Sequence, residues 1–239
     1  MDEPLEPFRP SALTRATDGR EARGSIFSPA DWEDEYGPDG ATGIWPAVVL
    51  GLAFVGQWFV GGPEPWGLSA EALAEGRWYT PLTSILVHGG LAHIWMNVGG
   101  VMALTPPVLS RFGGYRRGWG RWLLLFVVSG LAGAALFLAV NPTGVVPMVG
   151  ASGAICGLWG AAARFDPEGG VAFLTSRRVR DQVVGFLKMN AILFFILFVL
   201  VRLSGGVGGL AWEAHLGGFL VGLLVGPRLA RRHAREAAA

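Results

Sequence analysis

Six apolar stretches, separated by charged or turn-forming residues, make up most of the chain. They lie near residues 44–60, 83–105, 119–140, 149–165, 183–203 and 211–229. A helix that crosses a bilayer needs about 20 mainly apolar residues. The segment from Trp122 to Ala163 has no Asp, Glu, Lys or Arg over 42 residues, which is room for two crossings. The pattern therefore predicts an all-α membrane protein with six transmembrane helices.

The two ends of the chain differ from this apolar region. Residues 1–43 carry ten acidic residues and four arginines and are rich in Pro and Gly, which predicts a disordered, acidic, cytoplasmic tail. Residues 44–229 form the predicted helical domain, and residues 230–239 a basic cytoplasmic tail. Charged residues make up only 15% of the whole chain, against about 25% in soluble domains. The arginines form no long basic run, which argues against nucleic-acid binding.

The arginines are concentrated in alternate loops, and this asymmetry predicts the orientation in the membrane. Several lie between the second and third stretches, between the fourth and fifth, and after the sixth. The loop between the first two stretches has one arginine against three glutamates, and the next outer loop has no charge. The positive-inside rule then places both termini in the cytoplasm, and we expect a multi-pass protein of a bacterial plasma membrane.

Polar side chains inside such stretches are functional candidates, because burying them in a membrane is costly. Ser152 lies between glycines at the predicted start of the fourth helix, where unpaired N–H groups could stabilise an oxyanion. Close helix packing through Gly153 and Gly157 is an alternative reason for the same glycines. His215 begins the sixth stretch and could serve as a general base for a serine, or only as a hydrogen-bonding group between helices.

The second stretch contributes a further group of polar residues. His93 and Asn97 are four residues apart and share one face of a helix, and both can donate hydrogen bonds to an oxyanion. His88 falls on another part of the surface, and we expect it to brace the preceding loop. A polar contact between helices is the alternative for all three. A zinc site is disfavoured, since the chain has no HExxH motif and no carboxylate among these histidines.

These residues resemble the conserved motifs of the rhomboid intramembrane serine proteases. The similarity covers about residues 44–229 and lies in three segments: His88-Gly-Gly-Leu-Ala-His93-Ile-Trp-Met-Asn97, Gly150-Ala-Ser152-Gly-Ala-Ile-Cys-Gly157 and Ala214-His215-Leu-Gly-Gly218-Phe-Leu-Val-Gly222. The resemblance implies a six-transmembrane-helix, rhomboid-like bundle and a Ser–His dyad that works without an acid or a cofactor.

The roles of individual residues follow from the same resemblance. It implies that Ser152 is the nucleophile and His215 the general base and later the acid. The oxyanion would be held by the Ser152 N–H and by the side chains of His93 and Asn97, with Gly150 shaping the hole. Substrates would be single-pass membrane proteins cut near the outer face, within membrane lipid.

Two further features follow from the resemblance, and two positions depart from it. The fifth helix would be a lateral gate, and the glycine-rich loop 204–209 a mobile cap. Cys156 stands where some members carry an aromatic residue that stacks on the catalytic histidine. The first loop reads Arg77-Trp78 where the family often has Trp-Arg.

Two other classes of protein stay open as alternatives. The first is a non-proteolytic, rhomboid-like protein that binds membrane partners, although inactive relatives usually lack the serine or the histidine. The second is a small transporter or channel, which predicts paired charges or broken helices at mid-membrane that this sequence lacks. The sequence leaves the oligomeric state and the natural substrate open.

Overall fold

A computed structural model describes residues 42–166, 170–204 and 209–230. Each apolar stretch overlaps one long helix, and the six are α1 (Ile44–Gln57), α2 (Leu91–Phe112), α3 (Trp119–Val140), α4 (Ser152–Arg164), α5 (Arg177–Ser204) and α6 (Trp212–Leu229). Shorter helical segments lie in the connections, at Glu64–Trp66, Ala70–Ala74, Thr80–Thr83 and Gly114–Arg117. Within the described residues the only β contacts are two isolated bridges, so the predicted all-α class is confirmed there.

Not every one of the six long helices is both long and apolar enough to be recognised as a membrane-spanning helix. By length and composition, Trp119–Val140 and Arg177–Leu203 are long and apolar enough to span a membrane. The helix Ile44–Gln57 is apolar but has only 14 residues. The prediction of six transmembrane helices therefore stays a prediction, although six long helices are present in the described part of the chain.

The start of α2 differs from the predicted boundary at residue 83. Residues 84–90 form a connection that ends at Gly89 and Gly90, and the helix begins at Leu91. Two consecutive glycines favour a break, because glycine loses more conformational entropy than other residues when it enters a helix. At its other end α2 continues through Pro106 and Pro107 to Phe112, and Gly113 ends it in a left-handed conformation with φ +117°.

Helix α4 occupies the centre of the molecule, and glycines let its neighbours approach it closely. A β-carbon at Gly157 would overlap the side chain of Ser129 in α3, and a β-carbon at Gly160 would overlap the carbonyl oxygen of Phe219 in α6. Small residues at such positions allow the backbones of membrane helices to pack against each other. The small-residue packing predicted for this helix is therefore present, and it includes α6 as a partner.

At the end of α4 opposite Ser152, two arginines donate hydrogen bonds to backbone carbonyl oxygens of neighbouring segments. Arg111, in the last turn of α2, donates a hydrogen bond to the carbonyl oxygen of Asp166 at 3.3 Å. Arg164, at the end of α4, donates to the carbonyl oxygens of Ala172 at 2.7 Å and Leu223 at 3.1 Å. The loops after α2 and α4 therefore lie at one end of the bundle, as the alternating arginine pattern requires.

Parts of the predicted domain scheme lie outside the described residues. Of the tail predicted at 1–43, the structure describes Thr42 and Gly43, and both are buried. A β-carbon at Gly43 would meet the backbone of Met102 in α2 at 2.8 Å, so the packed domain begins slightly before residue 44. The rest of that tail, residues 231–239 and most of the predicted cap loop 204–209 fall outside the description.

Candidate active site

Ser152 is the first residue of α4, and the chain reaches it through a tight turn at Gly150. Gly150 has φ +114°, a backbone conformation that favours glycine, and its N–H donates to the carbonyl oxygen of Ser84 at 2.8 Å. The first helical hydrogen bond joins the N–H of Ile155 to the carbonyl oxygen of Ala151 at 2.9 Å. The N–H groups of the first turn, including that of Ser152, are therefore free of helical partners.

The loop between α1 and α2 fixes the segment that leads to this turn. Leu68 and Met148 exchange two backbone hydrogen bonds, of 2.9 and 2.7 Å. The loop itself is anchored by Thr83, whose hydroxyl donates to the carbonyl oxygen of Trp66 at 2.8 Å. Arg77, at the position where the sequence departs from the family pattern, pairs with Glu75 at 2.7 Å.

His215 lies in the first turns of α6 and is hydrogen-bonded to Ser152. Its Nε2 atom is 2.7 Å from the Oγ atom of Ser152. The imidazole is buried, with only 5% of the residue exposed. A serine hydroxyl held against an imidazole nitrogen at this distance is suited to proton transfer and nucleophilic attack.

The other ring nitrogen of His215 contacts a residue that the sequence analysis did not select. The Nδ1 atom lies 2.5 Å from Oδ1 of Asn190, in the middle of α5. The Nδ2 group of Asn190 donates to the carbonyl oxygen of Phe186 at 2.9 Å. Asn190 is the only side-chain amide in the apolar stretch 183–203. Because burying a polar group in a membrane is costly, Asn190 could have been selected from the sequence for the same reason as Asn97.

His93 lies beside Gly150, two residues before the serine. A β-carbon at Gly150 would be 2.5 Å from Nε2 and 2.6 Å from Cε1 of the His93 ring. The structure therefore brings together Ser152, His215, Gly150 and His93 from three helices and one turn.

Asn97 is buried one helical turn after His93. Its Nδ2 group donates to the carbonyl oxygen of His93 at 2.9 Å, and its Oδ1 atom has no hydrogen-bond partner among the described residues. An amide nitrogen carries two protons, so one donor remains for another group. Among the described residues no hydrogen bond joins Asn97 to Ser152 or His215, and its part in the site rests on its position beside His93.

His88 stands apart from the serine and joins the loop to α1. Gln57, at the end of α1, donates to the carbonyl oxygen of His88 at 2.8 Å and accepts from its backbone N–H at 2.9 Å. The ring Nδ1 is 3.1 Å from the carbonyl oxygen of Leu86, and the ring lies edge-on to His93 at 5.1 Å. This arrangement agrees with the bracing role expected from its position.

Glu213 and Cys156 are close to the site in sequence, but their side chains belong to other contacts. The Oε1 atom of Glu213 accepts a hydrogen bond from Nδ2 of Asn141, at the end of α3, at 3.1 Å. Cys156 is buried in an apolar cluster with Phe186 and Phe219. No aromatic residue follows Ser152 by four positions, and Nδ1 of His215 contacts Asn190.

Comparison with known proteins gives consistent matches over the helical region. Residues 75–232 match the family model described as the Rhomboid domain. The putative rhomboid protease YdcA of Bacillus subtilis is 30% identical over 165 residues, which are 67% of this chain and 74% of that protein. RHOMBOID-like protein 5 of Arabidopsis thaliana is 29% identical over 160 residues, covering 66% of this chain and 46% of that protein.

A third relative has the same level of similarity over a smaller part of its length. The rhomboid protease GluP of Bacillus subtilis is 29% identical over 154 residues, which are 64% of this chain and 27% of that protein. This chain therefore matches only about a quarter to a half of GluP and of the Arabidopsis protein. The similarity concerns the helical domain that these proteins share with it.

Proposed function

This chain belongs to the rhomboid family and is a multi-pass membrane protein, and we propose that it is a serine endopeptidase that cleaves single-pass membrane proteins. The observation that carries the proposal is the 2.7 Å contact between Oγ of Ser152 and Nε2 of His215. This pair lies where unpaired N–H groups at the start of α4 can stabilise negative charge. The names of the bacterial relatives as proteases agree with it.

The proposed reaction uses Ser152 as nucleophile and His215 as base and acid. Oγ attacks the scissile carbonyl carbon while Nε2 of His215 takes the hydroxyl proton. His215 then gives this proton to the leaving amine as the C–N bond breaks, which leaves an acyl-enzyme. A water molecule, deprotonated by His215, attacks the ester, releases the carboxyl product and restores Ser152.

The negative oxygen of the tetrahedral intermediate would be held by groups that surround the serine. The Ser152 N–H is the first donor, and the side chains of His93 and Asn97 are the others. Gly150 leaves space for the His93 ring at this point, since a side chain there would collide with it. Donors fixed in advance and shielded from water stabilise charge without reorganising during the reaction.

The proposal includes an orientation in the membrane. Six transmembrane segments with both termini in the cytoplasm of a bacterial cell would place Ser152 and His215 near the outer face. The arginine-bearing connections after α2 and α4 lie at the other end of the bundle, which supports this arrangement. Cleavage would then occur in the outer half of the bilayer.

The experiment that tests this function is labelling of the purified, detergent-solubilised protein by a fluorophosphonate, which reacts with activated serine hydroxyls. We expect the wild type to be labelled, and Ser152→Ala and His215→Ala to remain unlabelled. Ser129→Ala is the matched control, because Ser129 is a buried serine in α3 that faces Gly157 instead of a histidine. This variant should be labelled like the wild type.

Cleavage of a single-pass membrane protein in liposomes should follow the same pattern across these four proteins. A folded wild type that is neither labelled nor active would contradict the proposal and favour the alternative, a rhomboid-like protein that binds membrane partners without cutting them. Labelling that survives Ser152→Ala would show that the nucleophile is a different residue.

A further inference from the structure

We propose that Asn190 is a positioning residue of this site, which holds His215 in the tautomer that leaves Nε2 free to take the Ser152 proton. The inference rests on the proposed function and adds a third residue, from α5, to the pair. Asn190 does not reach the serine itself. It acts on the reaction through the second nitrogen of the imidazole ring, which lies 2.5 Å from its Oδ1 atom.

The hydrogen bonds around Asn190 determine which nitrogen of His215 carries the proton. The carbonyl oxygen of Phe186 only accepts hydrogen bonds, so the group facing it at 2.9 Å must be the NH₂ of Asn190. The amide oxygen therefore faces Nδ1 of His215, and this nitrogen must be the donor. A neutral imidazole protonated at Nδ1 has its lone pair at Nε2, where the hydroxyl of Ser152 can donate.

The fixed orientation of the amide is what makes it suitable for this role. In serine proteases with three residues, an acid holds the imidazole in the productive tautomer. Replacing that acid by an amide lowers turnover by about 10⁴-fold, because the amide favours the wrong tautomer. In this protein the carbonyl group of Phe186 turns the amide so that its oxygen faces the ring, which removes that defect.

Within the described part of the chain, no carboxylate is hydrogen-bonded to His215. Among the hydrogen bonds of the described residues, the carboxylate closest in sequence, Glu213, contacts Asn141 instead of the ring. A neutral amide stabilises the imidazolium less than a carboxylate does. The main contribution of the Asn190 amide is therefore to orient the imidazole ring. The charge that develops in the reaction is stabilised by the groups around Ser152.

Although much of α5 is exposed, Asn190 lies on the face of this helix that packs against α4 and α6, and this packing positions its amide relative to His215. Gln182, Phe186 and Asn190 are four residues apart and lie on one face of the helix. Phe186 stacks on Phe219 of α6, with ring centroids 4.0 Å apart, and Gln182 accepts a hydrogen bond from Trp159 of α4 at 2.8 Å.

Beyond Asn190 the side chains of α5 are mostly exposed, including Ile192, Phe195, Leu200 and Leu203. Asn190 therefore lies at the end of the row of α5 residues that contact α4 and α6. The stacking of Phe186 on Phe219, one turn before Asn190, fixes the height and rotation of the helix at this point. It directs the Asn190 amide at His215.

The test compares Asn190→Leu, which removes the hydrogen bond and keeps a side chain branched at the γ-carbon, with Asn190→Asp, which keeps an acceptor. Gln182→Leu is the matched control, because it removes the other side-chain hydrogen bond from this face of α5 without touching His215. We would measure the rate of fluorophosphonate labelling against pH, and kcat and KM for a transmembrane peptide. The melting temperature in detergent reports on folding.

We expect Asn190→Leu to lower the labelling rate and kcat by roughly 10²-fold, with little change in KM, since general base catalysis is worth about 10²- to 10⁴-fold. Asn190→Asp should recover most of the rate. The acidic limb of its pH profile should move to higher pH, because a carboxylate stabilises the imidazolium. Gln182→Leu should keep the wild-type pH profile.

A second measurement reads the tautomer directly and does not need activity. In protein labelled with ¹⁵N-histidine, the His215 ring should be protonated at Nδ1 in the wild type and in Gln182→Leu. In Asn190→Leu the ring should become a mixture of tautomers, whether or not that variant labels.

Three results would overturn the inference: an Asn190→Leu protein with wild-type rate and pH profile, a Gln182→Leu protein with the same losses, or a His215 ring protonated at Nε2. A wild type that is folded but unlabelled would instead remove the proposed function, and the ¹⁵N signals would still decide whether Asn190 accepts the Nδ1 proton.

Discussion

Gly218 of α6 lies so close to Gly153 of α4 that a β-carbon at position 218 would overlap the carbonyl oxygen of Gly153. The same relationship recurs one turn later, between Gly222 and Gly157. Gly153 directly follows Ser152, and Gly218 follows His215 by three residues. The separation of these two helices therefore sets the distance between the serine and the histidine.

We predict that Gly218→Ala separates α4 from α6 and weakens both the fold and the site. Overpacking of a close contact costs about 1–3 kcal/mol of unfolding free energy. The added methyl group should also stretch the contact between Ser152 and His215, and lower the fluorophosphonate labelling rate at least tenfold. Thermal unfolding in detergent and labelling kinetics measure the two effects.

Gly99→Ala is the control for this substitution. Gly99 lies in α2, and a β-carbon there would have no other heavy atom within 4 Å. Alanine is favoured over glycine in a helix by roughly 0.5–1 kcal/mol, so this variant should be as stable as the wild type or more so. A Gly218→Ala protein that behaves like Gly99→Ala would contradict the packing account.

A second prediction concerns Gly150, where the backbone conformation and the contact with His93 can be separated. Gly150→Ala places a methyl group against the His93 ring in a backbone with φ +114°. Gly76→Ala also introduces a side chain at a backbone position with positive φ, +83°, but no other heavy atom lies within 4 Å of its β-carbon. We expect cleavage by Gly150→Ala to fall about 10²-fold, the loss typical of one oxyanion donor, while Gly76→Ala loses stability and keeps its activity. Equal losses of activity in the two variants would refute a special role for the contact with His93.

The oxyanion donors give a third prediction. His93→Ala and Asn97→Ala should each lower kcat for a transmembrane peptide by about 10²- to 10³-fold, since each removes a donor to the developing charge. Gln57→Leu is the contrasting variant, because Gln57 makes two buried hydrogen bonds to the backbone of His88. It should reduce the unfolding free energy by about 1–3 kcal/mol and leave kcat near the wild-type value. If Asn97→Ala retains full kcat, the amide serves only the contact with the His93 carbonyl.

The fourth prediction tests whether an acid takes part in the reaction. Glu213→Gln preserves the acceptor for Asn141 and removes the negative charge beside the site. Because this carboxylate faces α3, we expect labelling rate and pH profile to stay within about threefold of the wild type, well below the 10²-fold worth of a catalytic proton-transfer group. A fall of that size, measured on folded protein, would mean that Glu213 acts on His215 after all.

Several features of the fold follow from the order of residues alone. The boundaries of α3 at Trp119–Val140 agree with the apolar stretch from 119 to 140, because Arg117 and Gly118 precede it and the turn-forming residues Asn141 and Pro142 follow it. The start of α2 was predicted too early. Residues 83–90 carry no charged residue to mark a boundary, and the break before Leu91 depends on two glycines and on a hydrogen bond from the distant Gly150 to Ser84.

The sequence by itself determined the helical class, the number of long helices and the candidates Ser152 and His215. It could do so because apolar runs and isolated polar residues are properties of neighbouring positions. Only the tertiary structure decided that Asn190 contacts His215. These residues are 25 positions apart on different helices, and their contact depends on how the glycine-lined face of α6 and the aromatic face of α5 rotate toward each other. The rotation of each of these helices about its own axis is set by the packing energy of many residues together.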